Sequence, residues 1–104
     1  EPVLPEAAPP RVDLGDRVVE LLHLGRGHTD HDLVVRVGAV VFAGDLVEQG
    51  APPSIGPDSD LGAWPVTLDA LLALDPELVV PGHGEPVDAA FVADQRDALA
   101  TRTR

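Results

Sequence analysis

Cysteine, methionine and tyrosine are absent from the 104 residues, and the aromatic side chains number three, one Trp and two Phe. Without cysteine there is no disulfide framework and no thiolate metal site. With 44 % hydrophobic residues and so little aromatic volume, the core has to be aliphatic. Basic residues are scarce as well: 7 Lys+Arg stand against 18 Asp+Glu, a formal charge of -11 at pH 7. Affinity for nucleic acid comes chiefly from Lys and Arg neutralising phosphates, so no nucleic-acid partner is expected. No apolar run approaches the ~20 residues of a membrane span. The opening Glu1 to Pro10 has neither the basic start nor the apolar stretch of a signal peptide. No membrane association and a cytoplasmic location are therefore expected.

What is present divides into a Pro-rich arm (1–11), one domain (12–100) and a short tail (101–104). Four of the eleven prolines fall in the first ten residues, which suits an extended arm. After a turn at Asp13-Leu14-Gly15-Asp16, Arg17 to Leu24 reads as a strand apolar on both faces, as in a sandwich. Asp32 to Val37 and Val40 to Ala43 form a hairpin about Gly38-Ala39, a pair suited to a type II′ turn. Residues 48–63 are rich in Gly, Pro, Ser and Asp and read as a long loop. Pro65 suits the first turn of a helix whose face carries Trp64, Leu68, Leu71 and Leu72, and which stops before Pro76. Leu78 to Val80 is a short buried strand. A last helix begins at the N-cap Asp88, with Phe91, Ala98 and Leu99 on one face. The order is β-ββ-α-β-α, an α/β (α+β) arrangement.

Three Gly-flanked turns place metal-ligand side chains at strand ends: His28 in Gly25-Arg26-Gly27-His28-Thr29, Asp45 in Ala43-Gly44-Asp45, and His83 in Pro81-Gly82-His83-Gly84. Pairing about the Gly38-Ala39 turn sets Asp45 opposite Asp32, four residues after His28. Imidazole and carboxylate together suit zinc or iron. Each residue taken singly also fits a turn role; it is their joint placement that points to a shared site. His31 reads as a solvated loop histidine and His23 as structural, inside its strand. Asp30 and Asp32 either accept a hydrogen bond from a ligand histidine or shape an Asx turn. Trp64 is expected to anchor its helix. The loop over 50–60 either borders a substrate pocket or is a plain crossover.

The strings GHTDHDLVV, VVFAGD and VVPGHG, in that order around a Trp-led helix, resemble the C-terminal half of the metallo-β-lactamase superfamily, from about Val12 to Leu99. The resemblance implies an αββα sandwich of which this chain is one half. It also implies that His28 binds a first metal, His83 a second, and that Asp45 bridges them. The family's other signature, HxHxDH, is not here: the histidines stand at 23, 28, 31 and 83. The resemblance therefore implies a parent metal-dependent hydrolase with two zinc ions, or iron or manganese, in a complete site. A water or hydroxide held between the metals would attack an ester, thioester or lactam carbonyl of a small-molecule substrate. This chain, short of ligands, is expected to be inactive alone. The alternative is a non-catalytic fragment or subunit. Either way, a homo-oligomer or association with the missing N-terminal half is expected through an exposed sheet face.

Overall fold

The computed structural model describes residues 11–15 and 17–102. Its elements are β1 (Arg11–Asp13), β2 (Val18–Leu22), β3 (Val34–Val37), β4 (Val40–Glu48), α1 (Trp64–Leu72), β5 (Leu78–His83) and α2 (Ala89–Thr101). One five-stranded sheet runs in the order β1-β2-β3-β4-β5, antiparallel except for the parallel β4–β5 pair that α1 connects. The α/β class and the β-ββ-α-β-α core are as expected. The added edge strand β1 was not: a three-residue strand between a proline stretch and a turn has no period to read. Of the arm read over 1–11, all but Arg11 lies outside the described residues, and Arg11 opens β1. Among the described residues, no helix is long and apolar enough to cross a membrane.

The hairpin forms with the expected two-residue connection, Val37 pairing with Val40. β2 is shorter than the expected strand over 17–24. It also has a polar residue on one face, so it is not a strand buried in apolar surroundings on both sides. Glu20 there sits between Arg11 (3.9 Å) and Arg36 (3.7 Å). His23 falls beyond the end of β2, exposed, with Nε2 3.3 Å from the Asp30 carbonyl. It is not the strand residue expected.

Both helices pack on one face of the sheet. Trp64, Leu68 and Leu71 of α1 and Val92 and Leu99 of α2 join Val34, Val41, Ala43, Leu46, Val47 and Val79 in a single buried cluster. Asp88 caps α2 as expected, accepting from the Phe91 amide at 2.9 Å. The buried stripe of α2 is Val92, Gln95 and Leu99, a turn-related set offset from the expected Phe91 and Ala98. Arg96 ties the helices together at 2.8 Å from Asp69, and this bond, with Asp97, raises its guanidinium above the usual pKa.

Register makes the two faces of the sheet differ. Cross-strand partners point the same way, so the row Arg11–Glu20–Arg36–Val41–Val79 lies on the helix side, charged over β1 to β3 and apolar under the helices. On the other side the row Val12–Val19–Val37–Val40–Leu78 and its neighbour Leu21–Val35–Phe42–Val80 are apolar from edge to edge. Among the described residues no element covers that side, and Val12, Leu21, Phe42 and Leu78 are exposed.

Candidate metal centre

The centre of the site is made by irregularity in β4. Against β5 its register shifts twice, between Phe42 and Gly44 and between Gly44 and Glu48. Extra residues on one strand bend it and re-aim its side chains. Gly44 takes a positive φ of 57° at the first shift, a conformation that a side chain disfavours. Both helices then hold the bent segment. The Leu46 carbonyl accepts from Trp64 Nε1 at 3.1 Å and from Gln95 Nε2 at 2.7 Å, while Gln95 Oε1 accepts the Glu48 amide at 3.0 Å.

Asp45, so placed, divides its carboxylate between two histidines. Oδ1 lies 3.5 Å from His83 Nδ1, and Oδ2 lies 4.0 Å from His28 Nδ1. The end of β5 can approach this closely because residue 82 is glycine. A Cβ there would run into Asp45 Oδ1 and stand 2.9 Å from the Gly44 carbonyl carbon.

His28 is packed into its turn from several sides. Its ring meets that of Trp64 edge-on, with centroids 6.0 Å apart. Thr67 of α1 donates to the Arg26 carbonyl at 2.5 Å, Ser59 Oγ to the His28 carbonyl at 2.8 Å, and the Asp60 amide to the Gly27 carbonyl at 2.8 Å. The long loop after β4 therefore clamps the His28 turn. Asp32 accepts from the Thr29 amide at 2.8 Å and from Thr29 Oγ1 at 3.1 Å, which makes it a turn former, and its Oδ1 stands 3.9 Å from His28 Nδ1. Asp32 is not in the β3 ladder, which begins at Val34. Instead of pairing across strands, Asp32 and Asp45 both approach one atom, His28 Nδ1, at 3.9 and 4.0 Å.

The structure thus brings His28, Asp45 and His83 to one rim. It keeps His31 away: that side chain is 87 % exposed and pairs with Asp30. It also adds a residue that sequence reasoning missed. Glu48 Oε1 lies 3.3 Å from His83 Nδ1, and one ligand atom each from Asp45, Glu48 and His83 fall within 4.8 Å of one another. His28 stands outside that tight group. On a regular strand residues three apart face opposite ways, so no period reveals Glu48 as a neighbour of Asp45; the shifted register puts it there. Gln95 had a readable signal, an amide on the buried stripe between Val92 and Leu99.

The donor set fits a divalent cation. Two imidazoles stand at the two oxygens of one carboxylate, His83 at 3.5 Å and His28 at 4.0 Å from Asp45, and these are donor types that zinc takes. The mixture of imidazole and carboxylate suits zinc, with iron as the alternative.

The sequence model described as the metallo-beta-lactamase superfamily matches residues 5–83. A metallo-beta-lactamase type 2 of Bacteroides fragilis is 36 % identical over an alignment of 80 residues that covers 71 % of this chain and 32 % of that protein. One from Bacillus cereus is 30 % identical over 91 residues, 82 % of this chain and 36 % of that protein. Among solved structures, a metallo-beta-lactamase from Pontibacter korlensis superposes with a TM-score of 0.80 at 27 % identity, covering 89 % of this chain and 46 % of that one. The chain spans about a third of the length of these curated relatives.

Proposed function

Since the chain belongs to the metallo-beta-lactamase superfamily, we propose that it carries half of a two-metal hydrolytic site, His28 holding one ion, His83 the other, and Asp45 bridging them. The observation that carries this reading is the split carboxylate of Asp45, one oxygen toward each imidazole. Such ions, when bound, supply a water nucleophile at neutral pH and stabilise a developing oxyanion. The chain's own residues set the geometry. Trp64 walls the back of His28, Asp32 and Ser59 fix its turn, and Gly82 lets His83 close on Asp45. The substrate is a small molecule with an ester, thioester or lactam carbonyl. Zinc uptake by this chain and by any longer protein containing it, followed with hydrolysis of generic ester, thioester and lactam substrates, tests the reading. His28→Ala and His83→Ala should each lose bound metal, and a longer protein that holds no zinc, iron or manganese by elemental analysis would overturn it.

A second reading, about assembly, is favoured by the two apolar rows on the uncovered face. In this reading the chain pairs through Val12, Val19, Leu21, Val35, Val37, Val40 and Phe42, with the half of the sandwich that bears HxHxDH or with a second copy. At ~25 cal/mol per Å², leaving several hundred Å² of apolar surface wet forgoes something like 10 kcal/mol, as much as a small domain's whole stability. Sedimentation at micromolar concentration checks this. A monomer that melts cooperatively with stoichiometric zinc would overturn it.

A further inference from the structure

Glu48 and His83 are register partners across β4 and β5, yet the Glu48 side chain is 7 % exposed and the His83 side chain 72 %. A carboxylate this deep is disfavoured unless it is paired or hydrogen-bonded. Its side-chain partner among the described residues is His83 Nδ1, 3.3 Å from Oε1. The Asp45 carboxylate faces the same nitrogen from farther away, at 3.5 Å. Glu48 is itself fixed: its amide donates to Gln95 Oε1, and the Gln95 amide group also grips the Leu46 carbonyl two residues back.

We propose that Glu48 is the positioning residue of His83: its carboxylate accepts the Nδ1–H, holds the neutral imidazole in that tautomer, and leaves the Nε2 lone pair facing out of the strand end. A histidine that ligates a metal commonly donates its other N–H to a carboxylate, which fixes the ring and makes the ligating nitrogen more basic. Depth decides which partner meets an ion first. Anything arriving from solvent reaches the exposed ring before the buried carboxylate, so Glu48 acts through His83. This inference deepens the metal-centre reading and rests on it for His83 being a ligand; the tautomer itself does not.

The test is long-range ¹H–¹⁵N NMR of the metal-free chain at about pH 8, above the ordinary imidazole pKa. It is joined by zinc titration against a chromophoric chelator and by cobalt(II) absorption. His83 should be the Nδ1–H tautomer in the parent chain and in Glu48→Gln, and lose that preference in Glu48→Ala. Zinc affinity should fall about 10- to 100-fold in Glu48→Ala and recover in Glu48→Gln, with an unchanged cobalt spectrum because the donor atoms are unchanged. Glu48→Gln keeps the side-chain volume, so the comparison stands even where the alanine variant folds poorly. An Nε2–H tautomer in the parent chain overturns the proposal. So does a glutamine variant as weak as alanine with an altered cobalt spectrum, since Glu48 is then itself a ligand. A chain that takes up no metal defeats the metal-centre reading instead, and the tautomer alone then decides the role of Glu48.

Discussion

His28 and His83 reach the same aspartate from supports of different kinds. His28 sits in a turn tied down by three segments: Thr67 and Trp64 of α1, Ser59 and Asp60 of the long loop, and Asp32 just ahead of β3. His83 stands largely in solvent at the open end of β5, and its side-chain contacts are the carboxylates of Glu48 and Asp45. A ligand whose turn is tied down by many backbone hydrogen bonds and by packing keeps its place with or without an ion. One held by carboxylates depends on charge, and on the bent strand that aims those carboxylates. The difference predicts which changes reach each histidine.

Asp45 is where the two supports meet, so its loss should matter most. Asp45→Asn keeps the size and removes the charge between two cation sites. Changing even a partner that orients a ligand costs 10- to 100-fold in metal affinity, so this change should exceed ~100-fold and abolish the proposed hydrolysis. Asp45 is half-buried and its carboxylate faces the two histidines, so the melting temperature should move little. Zinc titration beside thermal melting separates the outcomes: a variant that unfolds while its folded fraction keeps full specific activity would make Asp45 a turn residue.

The better-supported half of the site is also the one more readable from sequence. His28 and its Gly-flanked turn, the hairpin with its register, the Trp-led helix and the Asp88 cap all rest on local signals: glycines, a two-residue turn, helical spacing, an Asp at a helix start. The surroundings of His83 rest on the two register shifts of β4, which depend on contact with β5 some 35 residues away. No local pattern reports that contact, so the sequence pattern ends β4 at Ala43 and places Glu48 in the loop, although the strand runs to Glu48. The short edge strand β1 escaped for a similar reason, since pairing with β2 alone makes it a strand. The uncovered apolar face was partly visible, because β2 and the hairpin were too apolar for a wet side. That Glu20 and Arg36 point the other way emerges only from the register.

Gln95 offers a way to disturb the His83 side alone. Its amide accepts from the Glu48 N–H and donates to the Leu46 carbonyl, so it needs both its oxygen and its nitrogen. Gln95→Leu preserves the buried volume but leaves the Glu48 amide without its partner, at a cost of about 1–3 kcal/mol. The Leu46 carbonyl still has Trp64. Melting should shift down by several degrees. The NMR signals of His83 should move while those of His28 stay in place. Equal movement of both histidines would show that β4 couples the two supports, and that the contrast between them is false.

Ser59 tests the His28 side, with a smaller effect. Its hydroxyl donates to the His28 carbonyl at 2.8 Å and accepts from the Gly56 amide at 3.0 Å, joining the long loop to the ligand turn. Ser59→Ala removes both bonds at a part-exposed position where water can replace them, so stability should fall by only about 1 kcal/mol. The Asp60 amide, Thr67 and Trp64 remain in place, so the turn keeps most of its ties. Zinc affinity should fall less than in Gln95→Leu. His31→Ala, which alters the neighbouring exposed pair with Asp30, is the control and should leave metal content unchanged. A His31→Ala loss equal to that of His28→Ala would mean that the ligand of this turn is His31. A Ser59→Ala loss larger than that of Gln95→Leu would mean that one loop contact, not the crowd around His28, holds that half of the site.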